Sequence, residues 1–80
     1  MNYAPEKLRQ ILASEIDCEH LQVAGDGRHF EALIVSEAFS GLNRVRRHQL
    51  VYAALGDGMK EDIHALSMRL YSPDEWKNLK

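Results

Sequence analysis

Four histidines and one cysteine are the side chains of this 80-residue chain whose types suit metal coordination. His29 follows Gly25-Asp26-Gly27 and opens an alternating apolar segment, and His64 opens another. A neutral imidazole is a borderline-soft metal ligand, and two strand starts could lie near loops at the edge of a sheet. The same pattern has a plainer reading. His64 shares parity with Leu66, which also fits a half-buried, hydrogen-bonded residue. His48 lies on the apolar arc of a helix and reads as structural, and His20 has no feature that separates it from a surface residue. Cys18 stands alone, which excludes a disulfide within the chain and a closed zinc site of the cysteine-rich kind. A lone cysteine is more often a small buried hydrophobe than a nucleophile. Any metal bound here needs ligands from elsewhere.

The arginines form a second group. Arg44, Arg46 and Arg47 open a helix, and no Asp or Glu occurs between Ala38 and Gly56. Helix N-termini favour anions, and added guanidinium groups suit phosphate. A solvated helix face explains the same pattern. The net charge of −2 argues against strong non-specific nucleic-acid binding by the whole molecule. No aromatic interleaves with the arginines before Tyr52, so a stacking platform is weak. No nucleophile elbow surrounds Ser36, Ser40, Ser67 or Ser72, and the two Gly-Asp-Gly turns are too short for phosphate loops. The expectation is a binding module, not an enzyme.

The elements that must position these residues follow from periodicity. Pro5 suits the first turn of a helix, and Leu8, Ile11, Leu12 and Ile16 form a 3.6-residue stripe. His20–Ala24 and His29–Val35 alternate as strands around the Gly25–Gly27 turn, which predicts an antiparallel hairpin. Residues 36–41 read as a short helical turn and loop. A longer helix is expected over Asn43–Leu55, with Val45, His48, Val51, Tyr52 and Leu55 on one arc and Gly56-Asp57-Gly58 ending it. Met59–Asp62 is ambiguous between a turn and a loop. A third strand is expected over Ile63–Tyr71. Ser72-Pro73-Asp74-Glu75 then carries a capping box and a Pro at the first helical position, so a last helix follows. The helical crossover between the second and third strands suits a parallel pair. The expected fold is therefore α+β, in the order α-β-β-α-α-β-α, with a mixed three-stranded sheet and helices packed on one face.

Eighty residues make one domain, spanning 1–80, with a thin core. Hydrophobic content of 45% with 28% charged residues is that of a soluble globular domain. The longest apolar run, Leu50–Leu55, is far short of a membrane span. The first residues carry no apolar leader segment, so a cytoplasmic location is expected.

Several motifs together resemble the BolA family. Phe39-Ser40-Gly41 followed by Arg47-His48-Gln49-Leu50-Val51 looks like its F-x-G and R-H-x-x-V signature. Ile63-His64-Ala65-Leu66 looks like its I-H-A-L strand start, and Ser72-Pro73-Asp74-Glu75-Trp76 like its closing motif. Gly25-Asp26-Gly27-Arg28-His29-Phe30 resembles the G-D-G-S-H-F of its shorter bacterial branch. The resemblance covers about Leu8 to Trp76. It implies a class II KH-like fold. It also implies a heterodimer with a monothiol glutaredoxin around a shared [2Fe–2S] cluster, for iron–sulfur trafficking or iron and redox sensing. The glutaredoxin brings a cysteine and glutathione. The family's invariant histidine maps onto His64, and its variable Cys or His onto His29. Cys18 precedes the first strand and does not match that position. A role in DNA-binding transcriptional regulation, also attributed to BolA relatives, would instead use the Gly41–His48 segment with Arg44, Arg46 and Arg47. Homodimer formation is left open.

Overall fold

Pro5 sets the start of the first helix. Ala4 offers no capping side chain, and α1 runs over Pro5–Glu15. The computed structural model describes residues 4–26, 29–56 and 65–79. Leu8 and Leu12 lie on the inner stripe of α1 and are fully buried. Ile16 continues the stripe in sequence but sits just past the helix in extended geometry, where it is still buried.

Strands β1 (His20–Gly25) and β2 (His29–Val35) form the expected antiparallel hairpin, and β3 (Ala65–Tyr71) pairs in parallel with β2. The sheet order is β1-β2-β3, so β2 is central. Successive side chains point to opposite faces. Phe30, Ala32 and Ile34 of β2 therefore share one face and are buried. Their register partners Leu21 and Val23 of β1, and Leu66, Met68 and Leu70 of β3, complete that inner face.

Between β2 and β3 the chain makes a 3-10 turn over Glu37–Phe39 and then helix α2 over Arg44–Leu55. Ser36 anchors the turn. Its buried hydroxyl accepts from the Ala38 N–H at 3.1 Å and donates to the Asp17 carbonyl at 2.7 Å, tying the end of β2 to the α1–β1 connection. Asn43 caps α2 by accepting from the Arg46 N–H at 2.9 Å. Gly56, at φ 79°, closes the helix in a backbone conformation that favours glycine. Val51 and Leu55 pack with Leu8, Leu12 and the inner sheet face into one core. Helices α1 and α2 thus cover a single face of a mixed sheet.

Val45 departs from the expected apolar arc, for it is 64% exposed. At 3.6 residues per turn it points roughly 100° away from the direction shared by Val51 and Leu55. It also sits in the first turn of α2, beyond the reach of the core. The expected turn at Gly27, the Asp57–Asp62 segment and the first two residues of the third strand, Ile63 and His64, lie outside the described residues.

The capping box forms as expected. The Ser72 N–H donates to Glu75 Oε1 at 2.8 Å and the Glu75 N–H donates to Ser72 Oγ at 3.3 Å. Helix α3 follows over Pro73–Leu79. Its Trp76 ring stacks on His20, with centroids 5.3 Å apart, and lies 5.8 Å from the Tyr71 ring. His20, Val35 and Tyr71 are register partners on the sheet's outer face. The indole covers this end of that face, and Val35, between its two aromatic neighbours, is fully buried. Elsewhere the outer face exposes Gln22, Ala24, Glu31, Ser67 and Arg69.

Candidate metal-ligand site and basic helix start

His29 is the first residue of β2 and is exposed. A tight hairpin end places it there. The Asp26 N–H donates to the His29 carbonyl at 3.2 Å, and the His29 N–H donates to Asp26 Oδ1 at 2.8 Å. Gly25 permits this approach. A Cβ at position 25 would collide with the His29 carbonyl oxygen and stand 2.8 Å from Phe30 Cδ1. The His29 Nδ1 lies 3.8 Å from Asp26 Oδ2, with both side chains largely in solvent.

The parallel ladder sets the second coordinate of this site. The Cα partner of His29 on β3 is Ala65. Ala65 directly follows His64, the other expected ligand, which lies outside the described residues. The ladder thus ties the chain position next to His64 to the end of the sheet where His29 projects.

The other candidate donors are placed apart from this end or are occupied. Cys18 is half-buried against the core, and its thiol donates to the Ile16 carbonyl at 3.3 Å. Burial, and then the nearby Asp17 carboxylate, push its pKa up, so it is not a ready thiolate. His48 is half-buried on α2 beside a groove that Leu42, Asn43, Arg44, Met68 and Glu75 also line. His20 is held under Trp76. Its sequence surroundings carried no sign of this role, because the stacking partner comes from the far end of the chain.

The three arginines separate into two kinds. Arg44 and Arg46 are exposed at the start of α2, a first turn without an acidic residue. Arg47 is turned inward, and its side chain is only 13% exposed. Its Nε donates to the Leu42 carbonyl at 2.8 Å and its Nη1 to the Leu70 carbonyl at 3.0 Å. Nη1 and Nη2 also reach Glu75 Oε1 and Oε2, at 2.6 and 3.2 Å. Of the three arginines expected to face outward, Arg44 and Arg46 are exposed and Arg47 is not. Arg47 is drawn into joining α2, β3 and α3, because a planar guanidinium can serve two carbonyls and a carboxylate together. The Arg47 hydrogen bond, then the Ser72 N–H, lower the Glu75 pKa from 4.5 to about 2.

The donor chemistry at the hairpin end fits a shared metal site. His29 offers an accessible imidazole whose Nδ1 lies 3.8 Å from the Asp26 carboxylate, the kind of group that orients metal-binding histidines when it accepts the ring N–H. Among the described residues, no group of three or more His, Cys, Asp or Glu is gathered to hold a metal ion. At the hairpin end they supply the His29 imidazole and not a closed cage. Among them, too, no helix is long and apolar enough to cross a membrane.

An antiparallel hairpin, a crossover helix, a parallel third strand and a capped final helix define a small α+β domain. The chain belongs to the BolA family, whose model, described as BolA-like protein, matches residues 2–75. It is similar to the acid stress protein IbaG of Escherichia coli K12, at 35% identity over 88% of this chain and 84% of that protein. It is similar also to the DNA-binding transcriptional regulator BolA of Vibrio cholerae, at 38% identity over 96% of this chain and 70% of that protein. The solved structure of a BolA protein homologue from Coxiella burnetii superposes with a TM-score of 0.81 at 38% identity, covering 94% of this chain and 97% of that one.

Proposed function

We propose that this protein is a binding module, not a catalyst, that pairs with a monothiol glutaredoxin and contributes His64 and His29 to a bridging [2Fe–2S] cluster. The observation that carries the proposal is the β2–β3 register, in which His29 stands opposite the residue that follows His64. Imidazoles from His64 and His29 would supply half of a four-ligand set for one iron pair. The glutaredoxin cysteine and glutathione would supply the rest. A cluster held in this way supplies one-electron and iron–sulfur transfer chemistry, and imidazole in place of thiolate raises its reduction potential. The chain's own residues would do the positioning. The Asp26–His29 hairpin end presents the imidazole, Gly25 lets that end close, and the ladder joins it to β3. A cytoplasmic location belongs to this reading.

Coexpression with a monothiol glutaredoxin tests the proposal. The pair is expected to form a coloured heterodimer whose visible circular dichroism differs from that of the glutaredoxin homodimer. His64→Ala should abolish that difference and His29→Ala should diminish it. A heterodimer spectrum unchanged in both variants rejects the ligand assignment.

A second reading, DNA-binding transcriptional regulation, is favoured by Arg44 and Arg46, exposed on a helix start free of acidic residues, and by the name of the Vibrio relative. Here the two arginines contact phosphates while Arg47 holds the helix in place. Replacing both by Ala should reduce the slope of log affinity against log salt by roughly 2. Gel shifts at two salt concentrations that show no binding, or an unaltered slope, remove this reading.

A further inference from the structure

We propose that Asp26 is the positioning residue for His29, holding the imidazole with its proton on Nδ1 and leaving the Nε2 lone pair directed outward as the metal-binding nitrogen. The inference rests on the reading of His29 as a ligand and specifies which atom ligates and what orients it.

The argument starts from the backbone. Asp26 and His29 close the hairpin end reciprocally, Asp26 N–H to His29 carbonyl at 3.2 Å and His29 N–H to Asp26 Oδ1 at 2.8 Å. One carboxylate oxygen is thereby fixed by a main-chain donor. The planar geometry of the carboxylate then dictates where the second oxygen lies. That oxygen, Oδ2, is 3.8 Å from Nδ1 of the ring. The separation is longer than a hydrogen bond, so the carboxylate stands near Nδ1 without bonding it. The nitrogen that carries the proton in a neutral imidazole is set by the partner of the other nitrogen. A carboxylate facing Nδ1 favours the proton there, whereas an imidazole in water ordinarily prefers Nε2–H. Removing such an outer partner typically lowers metal affinity by about 10–100-fold.

The local construction supports a dedicated arrangement. Gly25 has no side chain to hold the His29 carbonyl away. Both side chains are in solvent, 75% and 70% exposed for His29 and Asp26, so a partner's metal centre can approach the ring from outside.

The test uses Asp26→Asn, whose amide oxygen can keep the bond to the His29 N–H while losing the charge, and Asp26→Ala, which loses both. Long-range proton–nitrogen correlation spectra of the 15N-labelled apo-protein, at a pH where the ring is neutral, report the His29 tautomer. The expected result is a majority Nδ1–H form in the wild type and reversion towards Nε2–H in Asp26→Asn, with the Gly25 and Phe30 amide shifts preserved. A majority Nε2–H form in the wild type, or a tautomer unchanged in both variants, overturns the inference. In the coexpressed heterodimer, Asp26→Asn should release its cluster to a chelator about 10–100-fold more readily. Release at the wild-type rate, in a complex whose spectrum does respond to His29→Ala, also overturns it. If His29→Ala leaves the spectrum unaltered while the apo-protein tautomer follows Asp26, the ligand reading fails and the orientation by Asp26 stands.

Discussion

Arg47 Nη1 and Glu75 Oε1, 28 residues apart in the chain, meet at 2.6 Å and join the start of α2 to the first turn of α3. The same guanidinium takes the carbonyls of Leu42 and Leu70, and the same carboxylate takes the Ser72 N–H. Arg47→Ala removes the guanidinium from two carbonyls and a carboxylate, so it should cost about 1–3 kcal/mol. Arg47→Lys should recover little of it, because an ammonium cannot span the fork. Urea denaturation measures both, and an Arg47→Ala midpoint equal to the wild type would refute the structural role.

The pH dependence follows from the Glu75 side of the pair. Its pKa is lowered from 4.5 to about 2 by the Arg47 hydrogen bond first and the Ser72 N–H second. A depressed folded-state pKa gives stability that is fully present above the unfolded value and lost as pH falls through the folded one. The window is therefore about pH 4.5 down to 2. The carboxylate is 48% exposed, and solvent screening holds its contribution to about 1 kcal/mol. Unfolding free energies of the wild type and Glu75→Gln should converge at the bottom of this window and separate above it. A difference independent of pH across that range would contradict the assignment.

Gly25→Ala addresses the hairpin end. The new methyl group would meet the His29 backbone carbonyl and the Phe30 ring, 2.8 Å away at Cδ1. Backbone cannot yield as a flexible side chain does, so the hairpin must shift, at about 1–3 kcal/mol. The His29 and Asp26 amide resonances should move with the loss of stability. Unmoved resonances with full stability would show that this close approach is unimportant.

Trp76 offers a spectroscopic check on the outer face. It is the single tryptophan of the chain and stacks on His20 with an interplanar angle of 21°. His20→Ala should open the indole to water and shift its fluorescence to longer wavelength. Trp76→Ala should destabilise by about 2 kcal/mol, less than a fully buried aromatic would cost. An emission maximum unaltered by His20→Ala would mean that the stack does not persist in solution.

Local patterns were readable where the cause was local. Pro5 marks α1, alternation around Gly25 marks the hairpin, and Ser72 with Glu75 marks α3. Each depends on contacts within a few residues. Val45 was misplaced because a helical arc names a side of the helix and not how far along it the core extends. His20 was missed because nothing near it in the chain announces Trp76. The arginine cluster was visible as a cluster, but the inward turn of Arg47 depends on Leu70 and Glu75, which only folding brings near.

Residue order alone determined the family, the sequence of elements and the identity of the candidate ligands, because these are carried by spacing and by residue type. Tertiary structure decided which arginine is spent on the fold, which histidine lies beneath an indole, and that His29 stands across from the neighbour of His64. The physical reason is that a strand register and a long-range ion pair are set by the joint packing of α1, α2 and the sheet, a property of the whole core and of no single segment.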